Sequence, residues 1–404
     1  MSNASTRRTP WDLMLVASSI LMVTMGIRQT SGLLIDPIHL DTGLGVAQIS
    51  FALAIGQLVW GAVQPAFGAL ADQRGPLPVL VGGGLLLAAG LFLATMLPGA
   101  WGLNLSLGLL LAAGAGAGSF SVLIGATSWR IPAQRRSIAA GIINAGGSLG
   151  QFLFAPLVQV LLSAVGWVRT LHALAAIALL SLPLAWPLRH RPPHADAPSA
   201  NDGLRPQLRR AFADRSYWCL HLGFFTCGVH IAFLVTHLPG EVALCGLSPN
   251  VASLSIGLIG LFNIAGSLII GALGERYRMK WLLFWMYASR AVMIGLYLLA
   301  PPTPTTFYVF SAVLGFTWLA TVPPTAGLIG KLFGPRHLGT LFGLTLLSHQ
   351  IGGFFGAWLG GVALAHSGNY LWMWYADMAL AVLAAVFNLP IREARLTRAQ
   401  PANA

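Results

Sequence analysis

Charged residues are scarce in this sequence. Only 8% of its 404 residues are Asp, Glu, Lys or Arg, whereas a soluble domain normally carries about 25%. Hydrophobic residues make up 56% of the chain, and apolar runs close to the ~20 residues that cross a bilayer recur throughout. Backbone groups in hydrocarbon are satisfied only in helices or closed barrels, and such long runs indicate helices. The composition therefore predicts an all-α membrane protein and excludes a soluble globular domain.

Signatures of enzymatic chemistry are also missing. The sequence has no HExxH, no Walker GxxxxGK[ST] and no dinucleotide-binding fingerprint. GGSLG at 146–150 fits the GxSxG pattern, but a nucleophile elbow needs a strand-to-helix turn, and this string lies in an apolar helical run. We therefore expect no enzyme, no cofactor and no metal site. Without an ATP-binding module, transport driven by an ion or exchange gradient is the expected activity.

Cysteine is rare. The three cysteines, Cys219, Cys227 and Cys245, are an odd number without metal-ligand spacing. All lie in or just beyond the seventh apolar run, so we interpret them as packing residues.

The basic residues are distributed unevenly between the helices. We place twelve helices near 12–36, 47–70, 77–97, 101–125, 137–163, 168–188, 215–239, 249–273, 279–299, 305–329, 338–365 and 370–390. If the N-terminus is cytoplasmic, 20 of the 23 Lys and Arg residues fall in cytoplasmic segments. This asymmetry is typical of the positive-inside rule and predicts cytoplasmic N- and C-termini. It explains the net charge of +12 by orientation and contact with membrane lipids, so no nucleic-acid partner is expected.

The two halves of the chain repeat each other. GALADQRG at 68–75 corresponds to GALGERYR at 271–278, an offset of 203 residues. Gly141 and Gly150 correspond to Gly343 and Gly352 at an offset of 202. Agreement of two unrelated patterns predicts parallel six-helix repeats about an axis along the membrane normal. We expect an N-terminal bundle over 1–188, a Pro- and Arg-containing cytoplasmic linker over 189–214, and a C-terminal bundle over 215–404.

The loop GALADQRGPLPVL after the second helix resembles the signature of the major facilitator superfamily. The matching residues are Gly68, Asp72, Arg74 and Gly75, and Glu275 and Arg276 form a weaker copy in the second half. The resemblance implies the twelve-helix major facilitator fold. Physically, the charged pairs would form a conformational latch at a helix end, where they interact with a neighbouring helix and its dipole.

Within that superfamily, the chain is most similar to bacterial relatives of the monocarboxylate and oxalate/formate transporters. GIRQTSGLLIDPI, AGGSLGQFLFAPL and SHQIGGFFGAWLGG carry this resemblance. The Asp and Arg that animal monocarboxylate carriers have in helix eight correspond to Asn263 and Ser267, and the helix-eleven lysine of oxalate carriers corresponds to His349. The resemblance implies a monomeric, multi-pass protein of the bacterial inner membrane that moves a small organic anion by alternating access, coupled to protons or by exchange.

Arg28 is the first candidate for binding substrate. It lies deep in helix one, where an arginine costs about 2.5–3.5 kcal/mol on insertion scales. Such a residue normally faces a polar cavity or an acidic partner. It could donate a bidentate pair of hydrogen bonds to a substrate carboxylate, or it could form a structural pair with Asp36 or helix carbonyls.

Two histidines are the candidates in the second half. His349 and His230 lie near the midplane of helices eleven and seven, where an imidazole can exchange protons near neutral pH. Apart from Asp377 and Asp36, we expect no acidic residue inside a helix, so proton coupling would use a histidine, the substrate or Asp36. The alternative for each histidine is an interhelical hydrogen bond.

Buried amides complete the predicted substrate site. They are Gln29, Asn263 and Gln350. Each could line a polar path or join helices by hydrogen bonds.

Arg290 has a different expected role. Its depth in helix nine matches that of Asp377 in helix twelve at 1.5 Å per residue, so we predict a structural ion pair between them.

Pro323 and Pro324 should interrupt helix ten. Proline removes a backbone donor and clashes with the preceding turn, so we expect a break that frees carbonyls toward the cavity and acts as a gate.

A proton-coupled drug or metabolite exporter is the alternative function. Exporters of cations usually place an acid in the cavity, and helix five here has AGGSLGQFLFAP instead of their GxxxGPxxGG-like pattern. These two features favour the organic-anion carrier.

Overall fold

The computed structural model describes residues 11–97, 99–128, 130–131, 136–190, 204–334 and 338–393. Every regular element within these ranges is a helix, as the composition predicts. In the first half the α-helices are α1 Trp11–Gln29, α2 Ile35–Thr42, α3 Val46–Arg74, α4 Pro76–Leu93, α5 Gly99–Leu103, α6 Ala112–Ala117, α7 Phe120–Ser128 and α8 Arg136–Leu180. Short 3₁₀ turns follow α1 and α8, and a π-helical stretch joins α5 to α6.

The second half begins inside the predicted linker. Its helices are α9 Leu204–Ala213, α10 Arg215–Leu244, α11 Pro249–Arg276, α12 Met279–Leu299, α13 Pro304–Thr317, α14 Val322–Phe333, α15 Leu338–Ser367 and α16 Leu371–Asn388. Leu208 of α9 packs on the core of the second half, and Gln207 donates a hydrogen bond to the carbonyl of Phe333 at 2.9 Å. The polar composition of 189–214 hid this short helix, because its apolar residues are few.

Ten helices of the described chain are long and apolar enough to cross a membrane. One of these spans, residues 139–188, includes both predicted helices five and six. Gly166 separates them with a φ of +75°, a conformation that favours glycine. The 30-residue α15, predicted helix eleven, is not among the ten because polar residues dilute its hydropathy. The count of twelve crossings therefore remains a prediction, as do the cytoplasmic termini.

Glycines allow the equivalent helix pairs of the two halves to touch. A Cβ on Gly150 of α8 would lie 2.1 Å from the carbonyl oxygen of Met22 in α1, and one on Gly352 of α15 would lie 2.0 Å from that of Phe225 in α10. Gly150 corresponds to Gly352, and Met22 to Phe225, at the predicted repeat offsets. Only glycine permits such close approach, so the repeat seen in the sequence is confirmed as a repeat of helix packing.

The halves meet mainly through two equivalent contacts, α3 with α15 and α8 with α11, and the 3₁₀ turn after α1 also packs against α10. We name the ends of the bundle by their charges. The basic end is where α3 and α11 finish at Arg74 and Arg276, and the acidic end is where Asp36, Asp41 and Glu241 lie. Near the acidic end and the middle, contact is tight: Gly361 abuts Ser50, Gly61 abuts Gln350, and Gly260 abuts Ser148.

The same helix faces separate toward the basic end. Gly68 and Gly271 are equivalent between the halves, as are Gly141 and Gly343, and a Cβ on any of them would have no neighbour within 4 Å among the described residues. Gly68 lies two turns from Gly61 on one face of α3, and Gly343 lies two turns from Gln350 on one face of α15. Faces that touch in the middle thus diverge, and the groove between the halves opens at the basic end.

Glu393 fastens the segment that follows α16 to the basic end of the second half. Its carboxylate accepts hydrogen bonds from the backbone N–H groups of Met279 and Lys280, at 3.1 and 3.0 Å, and from Lys331 at 2.8 Å. Burial disfavours its ionised form, but these bonds outweigh that effect and lower the pKa of the carboxyl below its ordinary value of 4.5. The negative charge also favours the N-terminus of α12.

Replacing Glu393 should destabilise the second half. We expect Glu393→Gln to lower the free energy of unfolding by about 1–3 kcal/mol at neutral pH, because buried charge-assisted bonds are lost. The depressed pKa means that the wild type has this stabilisation above pH 4.5 and loses it as the pH falls through the folded-state pKa.

Thermal unfolding in detergent between neutral pH and pH about 3 measures the effect. Arg276→Gln is the control, because Arg276 is exposed at the same end of the bundle. Equal melting temperatures for Glu393→Gln and wild type at neutral pH would contradict the assigned role.

Candidate functional site

Arg28 lies at the contact between the two halves. It is placed at the last turn of α1, and its guanidinium donates a hydrogen bond to Gln57 Oε1 of α3. The guanidinium carbon lies 4.2 Å from the centre of the Trp60 ring, within the range of a cation–π contact. Gln57 in turn packs against Gly353 of α15. The arginine is partly exposed, so these contacts hold it in position without enclosing it.

The charge of Arg28 is not neutralised by an acid. Its partners are an amide and an aromatic face, and within the described residues neither of the two salt bridges involves it. The alternative structural pair with Asp36 is therefore absent. An uncompensated guanidinium at the junction of two bundles is suited to a carboxylate ligand, since its planar fork can donate two parallel bonds.

His349 and Gln350 approach the same region from the second half. Both lie within about one helical turn of Gly353, the residue that contacts Gln57. Gln350 is buried against Gly61, and its amide contacts His349 Nδ1 at 3.2 Å. His349 is partly exposed, and its Nε2 has no hydrogen-bond partner in the described chain. These two side chains leave polar atoms unused beside the α3–α15 contact.

Asn263 and Gln29 are less accessible than the sequence suggested. Asn263 is buried and fully bonded: it donates to Ser148 Oγ at 2.8 Å and accepts from the backbone N–H of Leu319 at 3.0 Å. These hydrogen bonds connect α11 to α8 and to the broken helix ten. Gln29 is buried and makes no side-chain hydrogen bond within the described part of the chain.

Helix ten is broken, as predicted from its two prolines. The break lies at residues 318–321, between α13 and α14, and Pro323 and Pro324 stand in the first turn of α14. These prolines cannot donate to the carbonyls one turn before them, so the helix restarts just ahead of them. The freed carbonyls of Thr317 and Trp318 do not point into an open cavity as expected, because both accept hydrogen bonds from Arg290.

The predicted ion pair between Arg290 and Asp377 is wrong. Arg290 is buried, and its guanidinium donates hydrogen bonds to the Trp318 carbonyl at 2.7 Å, to the Thr317 carbonyl and to Cys227 Sγ at 3.3 Å. The two residues do lie near each other in depth, since the Asp377 charge still acts on Arg290 through space. The broken helix offered nearer acceptors, which a calculation of depth does not include.

Asp377 pairs with His230 instead. His230 Nδ1 lies 2.5 Å from Asp377 Oδ2, and both side chains are at most 1% exposed. The His230 ring lies 6.0 Å from that of Trp318. His230 is thus placed behind the groove surface in the core of the second half and does not line it.

Cys227 does more than fill space. All three cysteines are free, and Cys219 and Cys227 are buried as predicted. Cys227 also accepts from Arg290, contacts Thr321 and lies beside His349. No sequence motif signals this role, because the partners lie in α12, in α15 and in the break between α13 and α14.

The latch residues are partly visible. The side chains of Asp72 and Glu275 lie outside what the structure describes, while Arg74 and Arg276 are exposed at the basic end. Gly75 has a φ of +92° and ends α3, a conformation for which glycine is suited.

Sequence reasoning missed two groups. Gln57 and Trp60, which orient Arg28, carry no motif and stood out only as a polar and an aromatic residue in an apolar run. Glu241 lies inside α10, contrary to the expectation that Asp377 and Asp36 were the only acids in the helices, because α10 extends to Leu244. Its carboxylate accepts from Tyr297 at 2.7 Å.

Known proteins resemble the chain over nearly its whole length. The model of the Major Facilitator Superfamily matches residues 16–244 and 243–404. Monocarboxylate transporter 13 of Rattus norvegicus is 27% identical, covering 89% of this chain and 84% of its own length. The oxalate:formate antiporter of Oxalobacter formigenes is 21% identical, with 90% and 86% covered. A crystal structure of a D-xylose-proton symporter has a TM-score of 0.74 at 16% identity, with 95% and 98% covered. The chain is a multi-pass membrane transporter and belongs to the Major Facilitator Superfamily.

Proposed function

We propose that this protein is a secondary active transporter that moves a small organic anion by alternating access. The observation that carries the proposal is Arg28, a partly exposed cation at the junction of the halves whose partners are neutral. Similarity to a monocarboxylate transporter and an oxalate:formate antiporter supports the same class of substrate.

The substrate carboxylate would bind Arg28 on one side of the groove. His349 would contact it from the other side, because its side chain is partly exposed there. The buried Gln350, whose amide contacts His349 Nδ1, would orient that ring. A ligand that touches both halves favours the conformation in which the groove is narrow around it. Binding can therefore drive the transporter from the conformation open at one end toward the conformation open at the other. Gln29, Asn263 and His230 would then support the site without facing the anion.

The exporter of cationic drugs is less well supported. Such a cargo needs a free acid in the groove, whereas Asp377 is buried against His230 and Glu241 is bonded to Tyr297 at the acidic end. The free charge beside the groove is positive, and it would repel a cation.

Membrane placement follows from the charge pattern. We propose twelve crossings in the bacterial inner membrane, with the basic end and both termini in the cytoplasm, because basic residues concentrate there. The groove would then be open to the cytoplasm. We propose a monomer in which the groups around Asp72 and Glu275 latch the basic end when it closes, and in which the interruption ahead of Pro323 and Pro324 bends as the gate.

Removing the charge of Arg28 should abolish recognition of carboxylates. We expect Arg28→Gln to weaken binding about 10- to 100-fold, because a charge-assisted hydrogen bond contributes about 1.5–3 kcal/mol. Arg28→Lys keeps the charge but loses the planar fork, so it should fall between the two.

Counterflow of radiolabelled L-lactate, formate and oxalate in proteoliposomes measures this loss. Arg169→Gln is the matched control, since Arg169 is an exposed arginine. Wild-type counterflow by a well-folded Arg28→Gln protein would overturn the assignment, and stabilisation of the wild type by lipophilic cations alone would favour the exporter.

Alternating access makes a second prediction about the basic end. Gly141 and Gly343 have open space around them in the described part of this conformation, but they must approach the opposite half when the basic end closes. We expect Gly141→Leu and Gly343→Leu to fold normally and to lose at least about 90% of counterflow, since an added side chain prevents close helix contact.

Gly82→Leu is the control for this experiment. Gly82 also has open space around it, but it lies in the peripheral α4 and not in an interface helix. Thermal melting verifies folding of all three variants. Full transport by Gly343→Leu would mean that this face never closes.

A further inference from the structure

We propose that the buried pair of His230 and Asp377 is a proton-binding site that couples anion transport to a proton gradient. The inference rests on the proposed transport function and names its coupling ion. It concerns side chains that lie behind the groove, not the residues proposed to hold the anion.

The pair has room for one proton. With Nδ1–H donating to Asp377 Oδ2 at 2.5 Å, a neutral His230 leaves Nε2 as a free acceptor. That atom is buried and has no hydrogen-bond partner among the described residues, and neither has Asp377 Oδ1. A proton that binds His230 Nε2 makes an imidazolium whose counter-charge, Asp377, is already in contact. No bond other than N–H forms, and the same proton leaves when the site empties.

The surrounding charges favour reversible occupancy. The charge of Arg290 in α12 acts on that of Asp377, and the Trp318 ring lies beside His230. Arg290 also contacts Tyr287 of α12 and Cys227, which is one turn from His230 on α10 and lies beside His349 of α15. Arg290 and Asp377 balance each other, so a neutral His230 leaves the cluster with no net charge. Protonation leaves one positive charge that no further acid offsets. An anion bound in the groove would stabilise that charge, which links proton binding to anion binding in the same direction.

Distance along α10 separates this pair from other titratable groups. His221, His237 and Glu241 lie about two turns or more from His230. His221 contacts Ser348 Oγ at 2.6 Å and His237 contacts the carbonyl of Ala357 at 2.7 Å. Neither has a carboxylate partner, so neither has a counter-charge ready for an imidazolium.

A route joins the pair to the groove. His349 is partly exposed and has an unpartnered Nε2. It lies beside Cys227, and the Cys227 thiol is one turn from His230. The helices here are in close contact, because a Cβ on Gly228 would lie 1.8 Å from the carbonyl oxygen of His349. A proton from the groove would pass His349 and Cys227 between α10 and α15. It would reach His230 through water or side-chain movement, because His230 Nε2 has no hydrogen-bond partner among the described residues.

The test compares two buried histidines of the same helix. Proteoliposomes carry wild type, His230→Gln or His237→Gln, and the probe is whichever of L-lactate, formate and oxalate gives the fastest wild-type counterflow. We measure uptake with and without an imposed proton gradient and take the ratio. In His230→Gln the imposed gradient should no longer change uptake. In His237→Gln the ratio should stay at the wild-type value. A wild-type ratio in His230→Gln would overturn the proposal.

A readout without substrate separates this inference from the proposed function. Purified protein in detergent is shifted from pH about 8 to about 5, and proton uptake is followed with an indicator dye. His230→Gln should bind about one proton fewer than wild type, and His237→Gln the same number as wild type. Equal uptake by His230→Gln and wild type would overturn the site even if anions are transported. Absence of wild-type counterflow with all three anions would instead overturn the proposed substrate class.

Asp377→Asn protects the test against misfolding of His230→Gln. It removes the counter-charge and keeps the shape of the side chain, so it should also reduce proton uptake over this pH range. A monodisperse Asp377→Asn protein with wild-type proton uptake and a wild-type gradient ratio would contradict the proposal independently.

Discussion

The structure depends on the cost of placing polar and charged groups away from water. Two buried charges in the second half, on Arg290 and Asp377, persist only because each has a polar neighbour within hydrogen-bond distance. The largest supply of such neighbours is the interruption of helix ten, where two backbone carbonyls have no amide to bind. A charged side chain and a broken helix would each be destabilising alone, and together they satisfy one another.

Arg28 shows the opposite solution. Its amide and aromatic partners hold its position but do not cancel its charge. The two deep arginines of this chain are therefore chemically different, although both stand in apolar helices. One is enclosed by acceptors and keeps a helix break in place. The other is not enclosed by acceptors at the boundary between the halves, and this difference is why we propose ligand binding for Arg28 and not for Arg290.

Much of the fold could be predicted because it follows from repetition and composition. The offsets that relate Gly150 to Gly352 also relate the carbonyls against which they pack. Pairings at the candidate site were harder to predict. Depth along a helix can be counted from the sequence, but rotation about its axis cannot, and Arg290 and Asp377 turn toward different neighbours. Partners such as Gln57 and Cys227 have no distinguishing motif, since their roles come from residues far away in the chain.

Asn263 connects the contact between the halves to the broken helix ten. Asn263 holds Ser148 of the other half with its nitrogen and the backbone of Leu319 with its oxygen. The adjacent carbonyl, that of Trp318, is held by Arg290. The α8–α11 contact between the halves is therefore joined to the buried Arg290 through adjacent residues of the break in helix ten. A movement of α8 along α11 would displace the same peptide segment to which Arg290 is hydrogen-bonded. Rearranging the contact between the halves would therefore change the electrostatic surroundings of His230.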